Sequence, residues 1–219
     1  MADRRAVTLC GCRLEEPGHI CAFFDSRNEE YDILAPFYRE GLDCGEEIIS
    51  VVDADQYTDH CRRLEAHGID VPKAMEDGML HVMPADDWYL KGGPFSATRM
   101  YELVQGALAE LQRKGRRARG AGVMDWAVNG GVDTKELMEY ESRVNFLIET
   151  YDVTLLCVYD INEISARMMM ELLATHPYTI HSRVLRKNPY YVPAVERLRE
   201  VLLPDAMPLP AASQAEQRA

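Results

Sequence analysis

Apolar positions along the chain fall into two alternating patterns. Compact apolar runs occur at His19–Phe24, in "EEIISVVD" ending at Asp53, in "GMLHVMPAD", in "RGAGVMDWAV" and in "VTLLCVYD". Between them apolar residues recur at helical spacing. Ile33, Leu34, Phe37, Tyr38 and Leu42 make one stripe over about Asn28–Asp43, with Pro36 inside it, expected to kink it or redefine its start, and Gly45 placed to close it. A second helix is expected through His67, capped by Asp53 or Asp55, and a long one from about Ala97 to Lys114 behind Ser96. Asp133 and Thr134 open a further helix with Leu137, Tyr140, Val144, Leu147 and Ile148 on its stripe, and Ile164–Thr175 and "VPAVERLREVLL" complete the set. The unbroken apolar run of "VTLLCVYD" implies burial on both faces, as in a parallel sheet. "YTIHS" and "RVLRKN" predict short terminal strands at a hairpin edge. Strands alternating with helices indicate an α/β fold with three layers and a mostly parallel sheet. Residues 1–17 read as an irregular lead-in, 18–203 as one domain and 204–219 as a disordered tail.

In such sheets ligands sit beyond the carboxyl ends of the strands. Those ends carry Asp25, Asp53, Pro84 to Asp87, Asp125-Trp126 and Tyr159-Asp160. A nucleotide hydrolase would place a glycine-rich, lysine-bearing phosphate loop after the first strand. Here that loop is Asp25-Ser26-Arg27-Asn28, followed by Glu29 and Glu30. An acidic rim repels phosphates and suits a metal ion, a cation or a neutral hydrogen-bonding ligand.

Composition narrows the field. The 219 residues suit one domain with a sizeable core, and the 47% hydrophobic and 27% charged fractions are ordinary for a globular chain. A net charge of −12 argues against direct binding to nucleic acid or to an anionic membrane. The one basic run, Arg113 to Arg119, reads as a solvated helix terminus where cations offset the helix dipole. With no apolar run long enough to span a membrane and no signal-peptide core, the expected location is the cytoplasm. The six cysteines then read as thiols or ligands rather than disulfides, with Cys44, Cys61 and Cys157, in helix or strand patterns, as core or near-core thiols.

His19 and Cys21 are two apart on a strand and point to the same face, the beginning of a metal site. Cys10 and Cys12 upstream would complete four soft ligands for zinc or another transition metal if the lead-in folds back. The competing reading is a buried thiol, a strand-end histidine and two incidental cysteines. Glu141, Arg143 and Asn145 form either a polar face toward a pocket or a solvated helix face with weak local pairs. Tyr159 and Asp160 either orient a ligand or cap the next helix. His176-Pro177 and Asn188-Pro189-Tyr190-Tyr191 read as architectural, although Asn188 has an amide to offer a ligand. Trp88, Tyr89 and Trp126 are candidates for an apolar pocket wall, and Met168 to Met170 for helix core. No nucleophile elbow, H-E-x-x-H or paired-acid motif supports catalysis.

Several of these stretches, "HICAFFDS", "LAPFYREGLDCGEEIISVVD", "RMYELVQGAL", "MEYESRVNFLIETYDVTLLCVYD" and "LLATHPYTIHSRVLRKNPYYV", resemble in content and order the MEDS family, the methanogen/methylotroph DcmR sensory domain. The resemblance runs from about Gly18 to Val192. It implies a RecA/KaiC-like framework that has lost its phosphate loop. It also implies a non-catalytic, ligand-sensing role in prokaryotic signal transduction and transcriptional regulation, with small hydrocarbon derivatives as ligands. It raises the standing of Glu141 and Arg143. Relatives carry an acid near the end of the fourth strand, which here falls to Asp125. No helix-turn-helix or kinase pattern lies outside the matching stretch, so the expected output is a separate signalling protein. Association into a homo-oligomer is expected from fold analogy alone. The rival readings are a metal-dependent enzyme and a RecA-like interaction scaffold.

Overall fold

The computed structural model describes residues 7–14 and 16–203; the predicted tail and the start of the lead-in lie outside them. Where an irregular lead-in is expected, β1 (Val7–Leu9) and β2 (Cys12–Leu14) pair as a small hairpin, turned by Cys10 and Gly11 at positive φ.

The main sheet of the described residues is built from β3 (His19–Phe24), β4 (Glu47–Val52), β5 (Leu80–Pro84), β6 (Ala118–Val123), β7 (Thr154–Asp160), β8 (Tyr178–His181) and β9 (Val184–Lys187). Its order is β5-β4-β6-β7-β3-β8-β9. Every pairing is parallel except the β8–β9 hairpin at the edge. The crossovers run through α1 (Arg27–Asp43), α2 (Tyr57–Ala66), α3 (Val71–Glu76), the single turn α4 (Ala85–Trp88), α5 (Ala97–Arg113), α6 (Asp125–Asn129), α7 (Thr134–Tyr151) and α8 (Ala166–Thr175), and α9 (Ala194–Leu202) follows the edge hairpin.

Strand parity sorts the side chains into two cores. Ile20, Ala22 and Phe24 of β3, with Leu156 and Val158 of β7, face α1 and the β1–β2 hairpin. Cys21, Phe23, Cys157 and Tyr159 face the opposite layer, built from α4 to α8. The helix ends follow local chemistry: Ser26, Ser96 and Ser165 accept from backbone N–H groups in the first turns of α1, α5 and α8, and Asp133 does so for α7.

Three local expectations change. Pro36 lies inside an unbroken α1, on its exposed face. The predicted fourth strand stops at Val123, and Asp125 and Trp126 turn into α6. The basic run is not wholly solvated. The α5 helix ends at Arg113, Arg116 pairs with Glu47 at 2.6 Å, and Arg119 is buried in β6. Its guanidinium donates to Glu46 at 2.5 Å, to Glu40 at 2.7 Å and to the Phe37 carbonyl at 2.9 Å. A buried charge requires such partners, and the strand supplies the register that reaches them. No helix among the described residues is long and apolar enough to cross a membrane.

Candidate functional site

The carboxyl-end rim is closed by the protein's own charges. Asp125 accepts from Arg27 and from Gln56, each at 3.1 Å, and Arg27 also donates to Glu30 at 2.8 Å. Ser26 and the acids Glu29 and Glu30 fill the first turn of α1, where a phosphate would otherwise sit. Burial, opposed by Arg27, pushes the Glu30 carboxyl up to about 7; burial, reinforced by Asp125 and Asp55, pushes Asp53 up to about 6. Asp25 is exposed, and its carbonyl accepts from Asn162. Asp160 accepts from the Asn162 backbone N–H at 2.8 Å, a turn-forming role.

A second cluster lies beneath α7 and α8, on the Cys21 face of the sheet. His19 at the start of β3, Glu141 and Asn145 on α7, Cys157 and Tyr159 on β7 and His176 after α8 converge there, all buried. His19 Nε2 stands 3.1 Å from Glu141 Oε2 and 3.4 Å from Cys157 Sγ. His176 Nε2 stands 3.4 Å from the same Glu141 oxygen but without hydrogen-bond alignment. The Cys157 thiol donates to Glu141 Oε2 at 3.3 Å, and the Tyr159 hydroxyl donates to Glu141 Oε1 at 3.2 Å. The two imidazole rings lie 4.0 Å apart.

The outer contacts assign the tautomers. His176 Nδ1 lies 2.8 Å from the Leu172 carbonyl, which can only accept, so Nδ1 carries the proton. Asn145 spends its amide N–H groups on backbone carbonyls, including that of Thr175 at 3.1 Å, which turns its oxygen toward His19 Nδ1 at 3.3 Å. His19 Nδ1 is therefore also the donor. Two Nε2 lone pairs and a carboxylate oxygen face one another in a buried site. Burial, reinforced by His176, lowers His19 to about 4. Burial, then Glu141, drives the Cys157 thiol up.

Beside this cluster lies an apolar cavity of about 60 Å³ between the sheet and helices α5 and α7, lined among others by Val51, Trp88, Tyr89, Val104, Tyr140 and Cys157. Gly120 and Gly122 of β6 form its floor. A Cβ at Gly122 would lie 2.6 Å from the Tyr89 hydroxyl, and one at Gly120 would lie 2.7 Å from the Ile49 carbonyl. Trp126 stacks on Tyr89 at 4.4 Å and backs this wall. Cys157 belongs to both the cavity and the polar cluster.

The structure thus brings His19, Glu141 and Tyr159 together and adds Cys157 and His176, which sequence reasoning took for a core thiol and an architectural residue. Cys21 lies in the neighbouring core. Cys10 packs against the α1 core on the other side of the sheet, so Cys10 and Cys12 do not complete the His19–Cys21 set. Arg143 pairs with Glu139 at 2.5 Å and lies over Tyr101. Asn188 donates to the Leu173 and His176 carbonyls at 2.6 and 2.7 Å, tying the edge hairpin to α8. Met168 and Met169 pack on the core, whereas Met170 is exposed. Two signals pointed to the missed residues: Cys157 shares strand parity with Tyr159, and paired glycines inside β6 mark a close approach.

A curated relative, the transcriptional repressor DcmR of Methylorubrum extorquens, is 28% identical over 174 residues, which is 78% of this chain and 62% of the relative. The chain therefore spans less than two thirds of that protein. A relative named as a repressor gives no support to the expectation, drawn from net charge, that nucleic acid is not contacted. The model of the methanogen/methylotroph DcmR sensory domain matches residues 18–177, and the chain belongs to that family, MEDS.

Proposed function

We propose that this sensory domain recognises a small hydrocarbon derivative in the apolar cavity between the sheet and α5–α7, and that it acts by binding rather than by turnover. The observation that carries the reading is the cavity itself: apolar walls, a floor made by Gly120 and Gly122, and the Cys157 thiol and the Tyr89 and Tyr140 hydroxyls as the polar groups near it. Its size sets the ligand class. A cavity of ~150 Å³ accommodates benzene, so about 60 Å³ suits a molecule of a few heavy atoms. The same walls leave no place for a nucleotide. By analogy with the repressor relative, occupancy would be relayed to transcription, through a partner or a further segment.

A thermal-shift screen of short alcohols, methylated amines and haloalkanes tests the reading. A ligand at a hundred times its dissociation constant stabilises the folded state by about 2.7 kcal/mol, a readable shift. Ala107→Phe, which fills the cavity from α5, abolishes the response while the protein stays folded. No shift across the panel, or an equal shift in Ala107→Phe, overturns it.

A further inference from the structure

We propose that His19, Glu141, Cys157 and His176 bind one divalent transition metal ion of the zinc type, through the two Nε2 atoms, a Glu141 oxygen and the Cys157 sulfur. Their donor atoms all lie within 4.8 Å of one another, and all four side chains are buried. Zinc holds nitrogen and oxygen at about 2.0–2.2 Å and sulfur at about 2.3 Å, so tetrahedral donors stand roughly 3.3–3.6 Å apart. Four of the six donor separations, 3.1, 3.3, 3.4 and 3.4 Å, lie close to that range, and the other two are within 4.8 Å.

The hydrogen bonds make the same point independently. His176 Nε2 is fully buried, has no hydrogen-bond partner and is aimed at a carboxylate oxygen. His19 Nε2 has the same orientation, since Asn145 occupies its other nitrogen. Three acceptors converging on one point repel one another unless a proton or a metal ion lies between them, and the Cys157 sulfur beside them favours the metal. The outer contacts of both histidines, to Asn145 and to the Leu172 carbonyl, are those that fix a metal-binding tautomer. Charge balances as well. A glutamate, a cysteine thiolate and two neutral imidazoles neutralise a divalent ion, and binding displaces the thiol proton to solvent. A surface cleft of about 290 Å³ reaches His19 and Asn145 beside Pro177 and Tyr191 and offers a way in. This site stands whether or not the apolar cavity takes a ligand.

The test uses the whole chain, purified without a polyhistidine tag. Plasma mass spectrometry should find about one equivalent of metal per chain, lost in Cys157→Ser and His176→Gln and retained in Cys12→Ala. Stripped wild-type protein titrated with cobalt(II) should develop a thiolate-to-cobalt absorption band that saturates at one equivalent, a readout that depends on no variant's folding. Wild-type protein that holds no metal and gives no cobalt band, or metal retained equally in Cys157→Ser and His176→Gln, overturns the proposal.

Discussion

His19 and Glu141 meet at 3.1 Å, from the start of β3 to the middle of α7, with neither side chain exposed to solvent. Asn145, one helical turn beyond Glu141, holds the far side of the same imidazole. The α7 helix therefore supplies both the carboxylate and the residue that orients its neighbour. The arrangement ties the helix layer to the sheet at the point where the apolar cavity ends.

Asn145→Ala should leave the four donors in place but release His19. Loss of such an outer contact costs roughly 10–100-fold in metal affinity. Competition with a colorimetric chelator measures this directly, and an unchanged affinity would show that Asn145 has no orienting role.

Gly122→Ala is expected to lower stability by about 1–3 kcal/mol, because the added methyl would lie 2.6 Å from the Tyr89 hydroxyl and must displace it. It should also narrow the cavity and weaken any thermal shift from small ligands. Denaturant unfolding, with ligand present and absent, separates the two effects.

Arg119→Met should destabilise the fold by about 3–5 kcal/mol, since it strands the Glu46 carboxylate, 6% exposed, without its guanidinium. Replacing Arg119 and Glu46 together with apolar residues should recover much of that loss. If the single and double variants unfold at the same denaturant concentration, the ion cluster is not what holds the base of β6.

Glu30 sets a pH dependence of definite sign. Its folded carboxyl titrates near 7 against 4.5 in the unfolded chain, so the folded state holds the proton over that interval. Stability then falls as pH rises from 4.5 to about 7 and levels off above it, a loss of about 3 kcal/mol. His60, buried against Tyr31 and Ser50 and lowered to about 4 by burial and Arg27, acts the other way: its contribution is lost as pH falls from 6.5 to 4. The two tend to cancel in the wild type. Glu30→Gln removes only the first, so its stability relative to wild type should climb between pH 5 and 8. A flat difference would place the proton elsewhere.

The sheet was legible because β3, β4 and β7 are apolar on both faces and are separated by striped helices, and only one parallel arrangement buries all of them. The short turns α4 and α6 were not, because single turns carry no periodicity. Four of the six residues of the polar cluster, Asn145 among them, were readable. His19, Glu141 and Tyr159 announce themselves as polar or aromatic residues on buried elements. Cys157 did not, since a thiol inside an apolar strand looks the same whether or not a carboxylate faces it. His176 was masked by the proline after it, which explained its position without a ligand. The rim acids were conspicuous in sequence, yet Asp125 and Asp160 are occupied by Arg27, Gln56 and a turn. Pairing across the fold decides such roles, and a single sequence records no pairing.

The central claim is that a few-atom apolar ligand occupies the cavity beside Cys157. Calorimetric titration of wild type and Ala107→Phe with straight-chain primary alcohols, from one to about six carbons, addresses it most directly. A desolvated methylene contributes about 0.8 kcal/mol, so affinity should rise roughly fourfold per carbon over the shortest members. It should then collapse once the chain outgrows about 60 Å³, with no binding by Ala107→Phe. No saturable binding by any member, or a series that climbs without a cut-off and is unaffected by Ala107→Phe, would contradict the account.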